Sequence, residues 1–394
     1  MSLSVSKRMA AVKPSPTSAI LALATELKAA GKDIISLGAG EPDFDTPIHI
    51  KNAAKKAIED GLTKYTPIDG TNDLKRAIQS KFQSENNLNY QISQIIVSNG
   101  AKQCLFNICL SILSKGDEAI ILAPYWVSYP DMVRISGADP VIIDAQIEDN
   151  FKITPQKLAE SISNKTRLLI INNPSNPTGS CYTKKELQDL GKILKNHPKI
   201  VVVADEIYEH IYWGDSSFCS FNEACPELFD QTITVNGVSK AYAMTGWRIG
   251  YAAGPQKIIT AMKTIQSQST SNPCSISQIA ALAALEGNQS VLAEMTKEYK
   301  ERHDFLVAAL NEIKGFECRS GEGSFYTFPR VSEVIVKKNL NDDADLVEIL
   351  IKEAGVACVP GSAFGAPGYI RLSFACSMQL LEEAIKRIKE VIMP

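Results

Sequence analysis

The amino-acid sequence predicts an α/β protein, in which a large domain with a mostly parallel central sheet covered by helices is joined to a smaller α+β domain. Apolar runs of strand length alternate with helix-like stretches through most of the chain. These runs are continuously apolar instead of alternating, which is typical of parallel strands buried on both faces. The chain of 394 residues is also longer than one small core usually supports, so a second domain is expected.

The large domain is predicted from a series of strands and intervening helices. The first strand opens the segment QIIVSNGAKQCLFNICLSIL, in which a small polar turn leads into a helix. Further strands are predicted, in chain order, in EAIILAPYW, DPVIIDAQ, TRLLIINNP, KIVVVADEIY, QTITVNGV and RIGYAAG. Two helices between them carry clear start signals. In TPQKLAESI, Thr154 suits the N-cap and Pro155 the first helical position. In TKKELQDLGKIL, Thr183 and Glu186 have the spacing of a capping box.

The pattern changes near Asn288, where VLAEMTKEYKERHDFLVAALNEI predicts a long amphipathic helix. After GSFYTFP, we expect a helix in DADLVEILIKEAG, strands in VACVPG and GYIRLSF, and a closing helix in MQLLEEAIKRIKEVI. The early helix SAILALATELKAAG is expected to pack with this unit. We therefore predict an arm and helix over residues 1–45, a large domain over 46–290 and a small domain over 291–394.

Composition excludes several classes of protein. A formal net charge of -3 argues against a nucleic-acid binder. The nine cysteines show no paired spacing, which indicates reduced thiols in a cytoplasmic compartment. The four histidines form no ligand motif, so no metal site is expected. We find neither a secretory signal nor an apolar run long enough to span a membrane, so no membrane partner is expected.

Polar residues follow several predicted strands, at the edge where open parallel sheets bind ligands. In SNGA, small residues and free N–H groups at a helix start suit a phosphate, although an ordinary turn gives the same pattern. Asp205 follows KIVVV and is either a helix cap or the partner of a protonated ring nitrogen. Trp126 follows EAIILAPY and either belongs to the core or stacks on a flat ligand. NNPSNPTG, which contains Asn176, can also be only a rigid turn.

Three cations stand in apolar surroundings. Lys240 and Arg248 lie in NGVSKAYAMTGWRIGY, and Arg371 lies in YIRLSF. A buried lysine must be neutral, paired or covalently used, and a carboxylate partner is expected for Arg371. Together these groups suit a phosphorylated aromatic aldehyde that the lysine binds as an imine. They are a lysine, a carboxylate at a strand end, an aromatic side chain that can stack, a phosphate-binding turn and two guanidiniums.

The order of the motifs is more specific than any one of them. KPSPT, GAGEPDFDTP, KYTPIDG, APYWVSYP, NPSNPTG, DEIYEH, SKAYAMTGWRIGY and IRLSFA follow one another along the chain. In this the sequence resembles, over essentially its whole length, the class I pyridoxal-phosphate-dependent aminotransferases of fold type I. It is most similar to their bacterial aspartate aminotransferase subgroup, some of whose members also act on prephenate.

The resemblance implies pyridoxal 5'-phosphate as cofactor and assigns its binding residues. Lys240 matches the lysine that binds the aldehyde and then serves as general base, and Asp205 matches the partner of the pyridine nitrogen. Asn176 and Tyr208 match the residues that bind the phenolic oxygen, and Trp126 matches the stacking aromatic residue. The residues that match the phosphate site are Arg248, Gly100, Ala101, Lys102 and, reaching in from a neighbouring subunit of a homodimer, Tyr65.

The resemblance also implies how the substrate is held. Arg371 and the backbone of Gly40 match the groups that bind the α-carboxylate, with Trp126 and Asn176 beside them. The candidates for an acidic side chain are Lys13, Ser15, Thr17 and Lys102. Two positions depart from the family pattern: Gly237 stands where many relatives have a serine that binds phosphate, and Ser324 stands where many have alanine.

The expected reaction is transfer of the amino group from L-aspartate to 2-oxoglutarate, giving oxaloacetate and L-glutamate by a ping-pong mechanism. Prephenate, aromatic or broad-range transamination is the first alternative, and Lys13 also suits the side-chain carboxylate of prephenate. A carbon–sulfur lyase or a decarboxylase on the same fold is the second. A non-catalytic regulatory domain of aminotransferase shape is the third, against which the lack of basic charge argues.

Overall fold

The computed structural model describes residues 5–12 and 16–393. The strands are β1 (Ile35–Ser36), β2 (Ile95–Ser98), β3 (Glu118–Ala123), β4 (Asp139–Asp144), β5 (Thr166–Asn172), β6 (Val201–Asp205), β7 (Thr232–Gly237), β8 (Gly250–Ala253), β9 (Tyr326–Thr327), β10 (Val356–Ala357), β11 (Val359–Pro360) and β12 (Ile370–Ser373). Short 3-10 turns lie at Lys7–Ala11, Ile92–Gln94, Ile147–Asp149, Pro226–Gln231, Thr245–Trp247 and Gly361–Phe364.

The helices include each of those expected from the sequence. They are α1 (Pro16–Ala29), α2 (Ile48–Glu59), α3 (Asn72–Asn86), α4 (Ala101–Ile112), α5 (Tyr129–Ser136), α6 (Pro155–Ser161), α7 (Lys184–Leu194), α8 (Phe221–Ala224), α9 (Gln256–Ser269), α10 (Ser275–Glu286), α11 (Ser290–Asn311), α12 (Ser332–Lys337), α13 (Asp343–Lys352) and α14 (Met378–Ile392). The predicted start of α6 is confirmed, since the Thr154 hydroxyl accepts from the Lys157 N–H at 3.2 Å. The capping box of α7 between Thr183 and Glu186 is also confirmed.

The described part of the chain forms a seven-stranded sheet in the order β2-β8-β7-β6-β5-β3-β4. The neighbours among β7, β6, β5, β3 and β4 are parallel, whereas β8 runs antiparallel to both β2 and β7. Because β8 lies between two strands of the common direction, the carboxyl ends of the other strands all meet at one edge of the sheet. The mostly parallel sheet predicted from the sequence is confirmed.

Both faces of this sheet are buried, as the apolar runs predicted. Along β3, Ile121 packs into one hydrophobic cluster and its neighbour Ile120 packs into another on the opposite face. The same alternation holds for Ile170 and Leu169 in β5. Successive side chains of a strand point to opposite faces, so continuous apolar sequence is what two helical layers require.

The C-terminal part of the chain carries a separate antiparallel sheet of order β11-β12-β9 and the long helix α11. The N-terminal segment joins it, because β1 pairs in parallel with β10 through Ile35 and Val356. Ala24 of α1 forms a core cluster with Ile351 and Ala357. The domain boundaries 1–45, 46–290 and 291–394 stay a prediction. Within the residues that the structure covers, no helix is both long and apolar enough to cross a membrane.

Candidate active site

The loops at the common carboxyl edge of the strands enclose a cleft of about 570 Å³, closed on its far side by β9 and β12. Most of the residues proposed from the sequence line it together: Gly40, Ala101, Lys102, Trp126, Asn176, Asp205, Tyr208, Lys240, Arg248 and Arg371. Gly100 directly precedes this lining at the N-cap of α4. Asn176, Asp205 and Lys240 converge on one site because β5, β6 and β7 end at the same edge, whereas Arg371 comes from β12 of the other sheet.

Other proposed residues lie elsewhere. Tyr65 is 91% exposed and does not line the cleft of its own chain. Lys13 and Ser15 fall outside the described residues, and for Thr17 the structure describes only its backbone position in α1.

Lys240 lies in the loop between β7 and the Thr245–Trp247 turn, and its Nζ donates to the Gly40 carbonyl at 2.6 Å. Burial lowers the pKa of this amine to about 8, and the nearby Arg371 guanidinium acts in the same direction. The Glu41 carboxylate opposes the shift. A large share of the amine is therefore neutral, and so nucleophilic, at mildly alkaline pH.

Asp205 ends β6 and is only 4% exposed. Its Oδ2 accepts from the Tyr129 hydroxyl at 2.6 Å, and the Ile207 N–H donates to Oδ1 at 3.4 Å. Burial raises the pKa of Asp205 to about 6 against the opposing effect of the Tyr129 bond. A cationic N–H ligand in the cleft would favour the ionised carboxylate. Tyr129 was missed in the sequence, although it stands three residues after Trp126 in the same motif.

Arg371 in β12 is 2% exposed. Its Nη1 donates to Asn176 Oδ1 at 3.0 Å and its Nη2 to the Gly38 carbonyl at 2.8 Å, while Nε has no partner. Among the described residues both hydrogen-bond partners are neutral oxygens, so the carboxylate partner expected from the sequence is not supplied by them and stays a prediction. Burial accordingly lowers the pKa of the guanidinium. A buried cation without a protein counter-ion is suited to a carboxylate ligand.

The Arg371 guanidinium also lies over an aromatic ring that sequence reasoning missed. Its carbon atom Cζ is 4.3 Å from the ring centroid of Tyr326 in β9. The hydroxyl of Tyr326 lies 3.1 Å from that of Tyr208, which comes from the opposite side of the cleft. The contact between Arg371 and the Tyr326 ring is a cation–π interaction, which favours the guanidinium at this position.

The start of α4 and the loop before β8 form a positively charged end of the cleft. Gly100 has φ 85° at the N-cap, and a Cβ added there would collide with the Arg248 guanidinium. Arg248 donates to the carbonyls of Thr245 at 2.8 Å and Asn99 at 3.3 Å. Burial and the adjacent Arg248 lower the pKa of Lys102. N–H groups at a helix start beside two cations form a site for an anion such as phosphate.

The polar turn after β5 is tied to the end of β6. Asn172 donates to the Asp205 carbonyl at 3.0 Å and accepts from the Asn176 N–H at 2.8 Å. Trp126 faces the same cleft and packs edge-on against Tyr129, with ring centroids 5.3 Å apart. Asn172, Asn176 and Asp205 are therefore held at the ends of β5 and β6, which position their side chains rigidly.

The two departures from the family pattern have different surroundings. Gly237 pairs with Gly250 across β7 and β8, and a Cβ at Gly237 would lie 3.0 Å from the Gly250 Cα. The close approach of these strands thus favours glycine there. Ser324 is fully buried with φ 60°, and its hydroxyl has no partner among the described groups; nothing in the structure explains its hydroxyl.

The fold is α/β, and its cleft holds a buried lysine between a cationic helix start and a guanidinium that no carboxylate of the described residues pairs with. Residues 32–388 match the family described as aminotransferase class I and II, and the chain belongs to that family. It is therefore an aminotransferase, and the fold type and enzyme class predicted from the sequence are confirmed.

Proteins of known name and solved structures match this chain over nearly its full length. The chain is 52% identical to an aspartate/prephenate aminotransferase of Nitrosomonas europaea, over 99% of this chain and 100% of that one. It is 48% identical to an aspartate aminotransferase of Bacillus subtilis, over 99% of each. Among solved structures, the aspartate aminotransferase of Rhizobium meliloti has a TM-score of 0.94, 45% identity and 99% coverage of both chains. That of Thermus thermophilus with maleate has a TM-score of 0.93 and 41% identity, over 99% of this chain and 100% of that one.

Proposed function

We propose that this chain is a pyridoxal-phosphate-dependent aspartate aminotransferase, which moves the amino group of L-aspartate to 2-oxoglutarate. The observation that carries the proposal is the buried Arg371 guanidinium, which lies in the same cleft as the Lys240 amine and pairs with no carboxylate of the described residues. A 2-amino acid brings an amine for one and a carboxylate for the other. Support for a dicarboxylic substrate comes from the names of the relatives and from the maleate held by the similar Thermus enzyme.

The residues present fit pyridoxal 5'-phosphate. The cradle at Gly100, which a Cβ would fill, and the Arg248 guanidinium suit its phosphate. The buried Asp205 carboxylate suits the protonated ring nitrogen, and Lys240 suits the aldehyde. We assign Trp126 to the ring face; Asn176 and Tyr208 are assigned to the phenolic oxygen. When bound, the cofactor supplies an electron sink for the negative charge that develops at the substrate Cα.

The chain's own residues would then orient the substrate and move its proton. Arg371 would hold the α-carboxylate by two parallel N–H···O bonds, which fixes the direction of the Cα–H bond. The amine of Lys240, with its pKa lowered to about 8, would take the Cα proton as general base. The Gly40 carbonyl, which accepts from Nζ at 2.6 Å, would restrain that amine. Asp205 would keep a proton on the ring nitrogen by its negative charge.

Prephenate is a second candidate substrate, favoured by the name of the Nitrosomonas relative and by one feature of the structure. A further cavity of about 990 Å³ adjoins the cleft and shares Lys102 and Arg248 with it. This gives space for a larger acid beside a cation. We propose Lys102, with Lys13, Ser15 and Thr17 of the N-terminal arm, as the groups that meet the acidic side chain.

We further propose a homodimer with shared sites in the cytoplasm. The exposure of Tyr65 outside its own cleft supports the proposal that it serves a second subunit. The large exposed side chains Ile48, Ile58 and Leu62 lie near it in sequence and suit an interface. The described cysteines are free, as expected of a reducing compartment.

The test is a panel of donors on purified protein supplied with cofactor, compared by kcat/KM. Aspartate with 2-oxoglutarate should exceed alanine and tyrosine, and glutamate with prephenate measures the second candidate. Release of pyruvate with a thiol, or of carbon dioxide, in place of a 2-oxo acid would indicate a lyase or a decarboxylase. Borohydride reduction followed by peptide mapping should place a pyridoxyl group on Lys240, and its absence there would falsify the assignment of the nucleophile.

A further inference from the structure

Gln266 on α9 is a fully buried polar side chain at which three parts of the fold meet. Its Oε1 accepts from the Ser98 hydroxyl at 2.6 Å and from Asn107 Nδ2 at 3.1 Å. Its Nε2 donates to the carbonyls of Ile68 at 2.6 Å and Val97 at 2.8 Å. Both ends of the amide are thus used, and the bonds reach β2, α4 and the segment 63–70.

One of these four partners leads directly to the proposed phosphate site. Ser98 ends β2, and its carbonyl accepts from the N–H of Gly100, which begins the cradle, at 2.7 Å. Another partner, Ile68, belongs to the segment that carries the exposed Tyr65. Residues 97–103 are called the phosphate loop here. The side chain of Gln266 therefore connects the phosphate loop of its own subunit with the segment 63–70, which is proposed to serve a second subunit.

The same end of α9 holds the phosphate loop at another point. Thr270 caps α9, and its hydroxyl accepts from Gln103 Nε2 at 2.6 Å. The Oε1 of Gln103 in turn accepts from the Asn99 N–H at 2.7 Å. The carbonyl of Asn99 accepts from Arg248. The last turn of α9 thus restrains both the start of the loop and the guanidinium beside it.

An apolar side chain at position 266 would leave these groups without partners. The Val97 and Ser98 groups lie in the buried core, where an unsatisfied donor or acceptor is costly, so the loop would shift to find new bonds. Gln278 on α10 offers a useful contrast. It is also fully buried. Its amide accepts from the Thr71 N–H at 2.8 Å and donates to the Thr66 hydroxyl at 2.9 Å, so it holds the Tyr65 segment and the residue that follows it. Among the hydrogen bonds of the described residues, none joins Gln278 to the phosphate loop 97–103.

We propose that Gln266 is a positioning residue for the cofactor phosphate, acting from one amide on the phosphate loop of its own subunit and on the Tyr65 segment offered to the other. This inference rests on the proposed function, because it takes the anion site to hold the phosphate of pyridoxal phosphate. It assigns to Gln266 no contact with the cofactor and no part in the proton transfer.

The test measures binding of cofactor to the apoprotein by absorbance and compares pyridoxal phosphate with pyridoxal, which lacks the phosphate. The variants are Gln266→Met and, as a matched control, Gln289→Met. Gln289 also donates to backbone carbonyls, at Ala284 and Gly287, but touches neither segment. For Gln266→Met, loss of the restraining bonds should raise the Kd of pyridoxal phosphate about tenfold, while that of pyridoxal stays within about twofold. Gln289→Met should leave both values unchanged.

A merely structural role predicts that Gln266→Met raises the Kd of both ligands by the same factor. That result overturns the proposal, and so does an unchanged Kd for both ligands. If Gln266→Met does not fold, Ser98→Ala removes a single bond to Gln266 and should still weaken pyridoxal phosphate selectively, by about threefold; equal weakening of both ligands there overturns it as well. If the unaltered protein takes up neither ligand, or binds them equally, the proposed cofactor is wrong, and the inference fails with it for a separately visible reason.

Discussion

Removal of the buried guanidinium at position 371 should change both substrate binding and the charge of Lys240. A guanidinium has five N–H donors; in this chain Nη1 and Nη2 each make one described bond, and Nε makes none. Each Nη therefore retains an N–H for a substrate carboxylate. With about 1.5–3 kcal/mol for each charge-assisted bond, loss of two bonds amounts to roughly 3–6 kcal/mol. We expect Arg371→Met to lower kcat/KM for aspartate by about 10²–10⁴-fold.

The same change should raise the pKa of Lys240. A neighbouring cation disfavours the protonated amine, and Arg371 follows burial among the causes that lower this pKa to about 8. Removing it moves the pKa upward, but burial should keep it below the ordinary lysine value. The assay is the rate at which a dilute acetylating reagent labels Lys240 in the apoprotein, measured against pH by peptide mass mapping. Its midpoint should move to higher pH in Arg371→Met.

Arg371→Lys separates the two effects, since it keeps the charge and loses the planar fork. Its labelling midpoint should stay near that of the unaltered protein while kcat/KM still falls. Arg330→Met is a control in the same part of the chain, because Arg330 pairs with Glu148 at the surface at 2.7 Å. Loss of less than about tenfold in kcat/KM for Arg371→Met, or a midpoint shifted to lower pH, would refute the reasoning.

Further predictions concern the other parts of the cleft. Tyr129→Phe removes the 2.6 Å bond that favours ionised Asp205, so the pKa of this carboxyl should rise above about 6. The Kd of pyridoxal phosphate should then increase more at pH 6 than at pH 8. An equal increase at both pH values contradicts the prediction. Gly100→Ala places a Cβ against Arg248 at φ 85°, and should weaken pyridoxal phosphate at least tenfold more than pyridoxal in absorbance titrations; equal loss for both would remove the cradle assignment. Lys102→Ala should lower kcat/KM for aspartate about tenfold or more but change kcat/KM for tyrosine little. Equal losses for both substrates would show that Lys102 does not contact the substrate side chain.

The fold was predictable because its signals are local. Strand-length apolar runs, the N-cap at Thr154 and the capping box at Thr183 each report on a few neighbouring residues. The direction of β8 is not local: nothing within GYAA says that it runs between β2 and β7 against both, since an apolar run buried on both faces suits either direction. Its antiparallel insertion depends on how the connections pack.

The site was predictable where a residue type is unusual in its surroundings. A lysine or arginine among apolar residues attracts notice, and so does an aspartate that ends an apolar strand. Tyr129 and Tyr326 do not, because aromatic residues are common in cores, and only their hydroxyl contacts distinguish them. The source of the carboxylate expected for Arg371 was not predictable for a related reason. A sequence shows that a buried cation needs a counter-charge, but not whether the protein or a ligand supplies it.

That distinction explains the electrostatics of the whole cleft. Among the described residues that line it, the cations are Lys102, Lys240, Arg248 and Arg371, and the acids are Glu41 and Asp205. Burial lowers the pKa of both Lys102 and Lys240, and the excess of positive charge adds to this, through Arg248 at Lys102 and through Arg371 at Lys240. Cations held together in this way oppose folding, and anions bound between them relieve that opposition. The arrangement that costs stability is therefore the one that lowers the pKa of Lys240 and attracts phosphate and carboxylate groups. A replacement that paired Arg371 within the protein would stabilise the fold and remove the site.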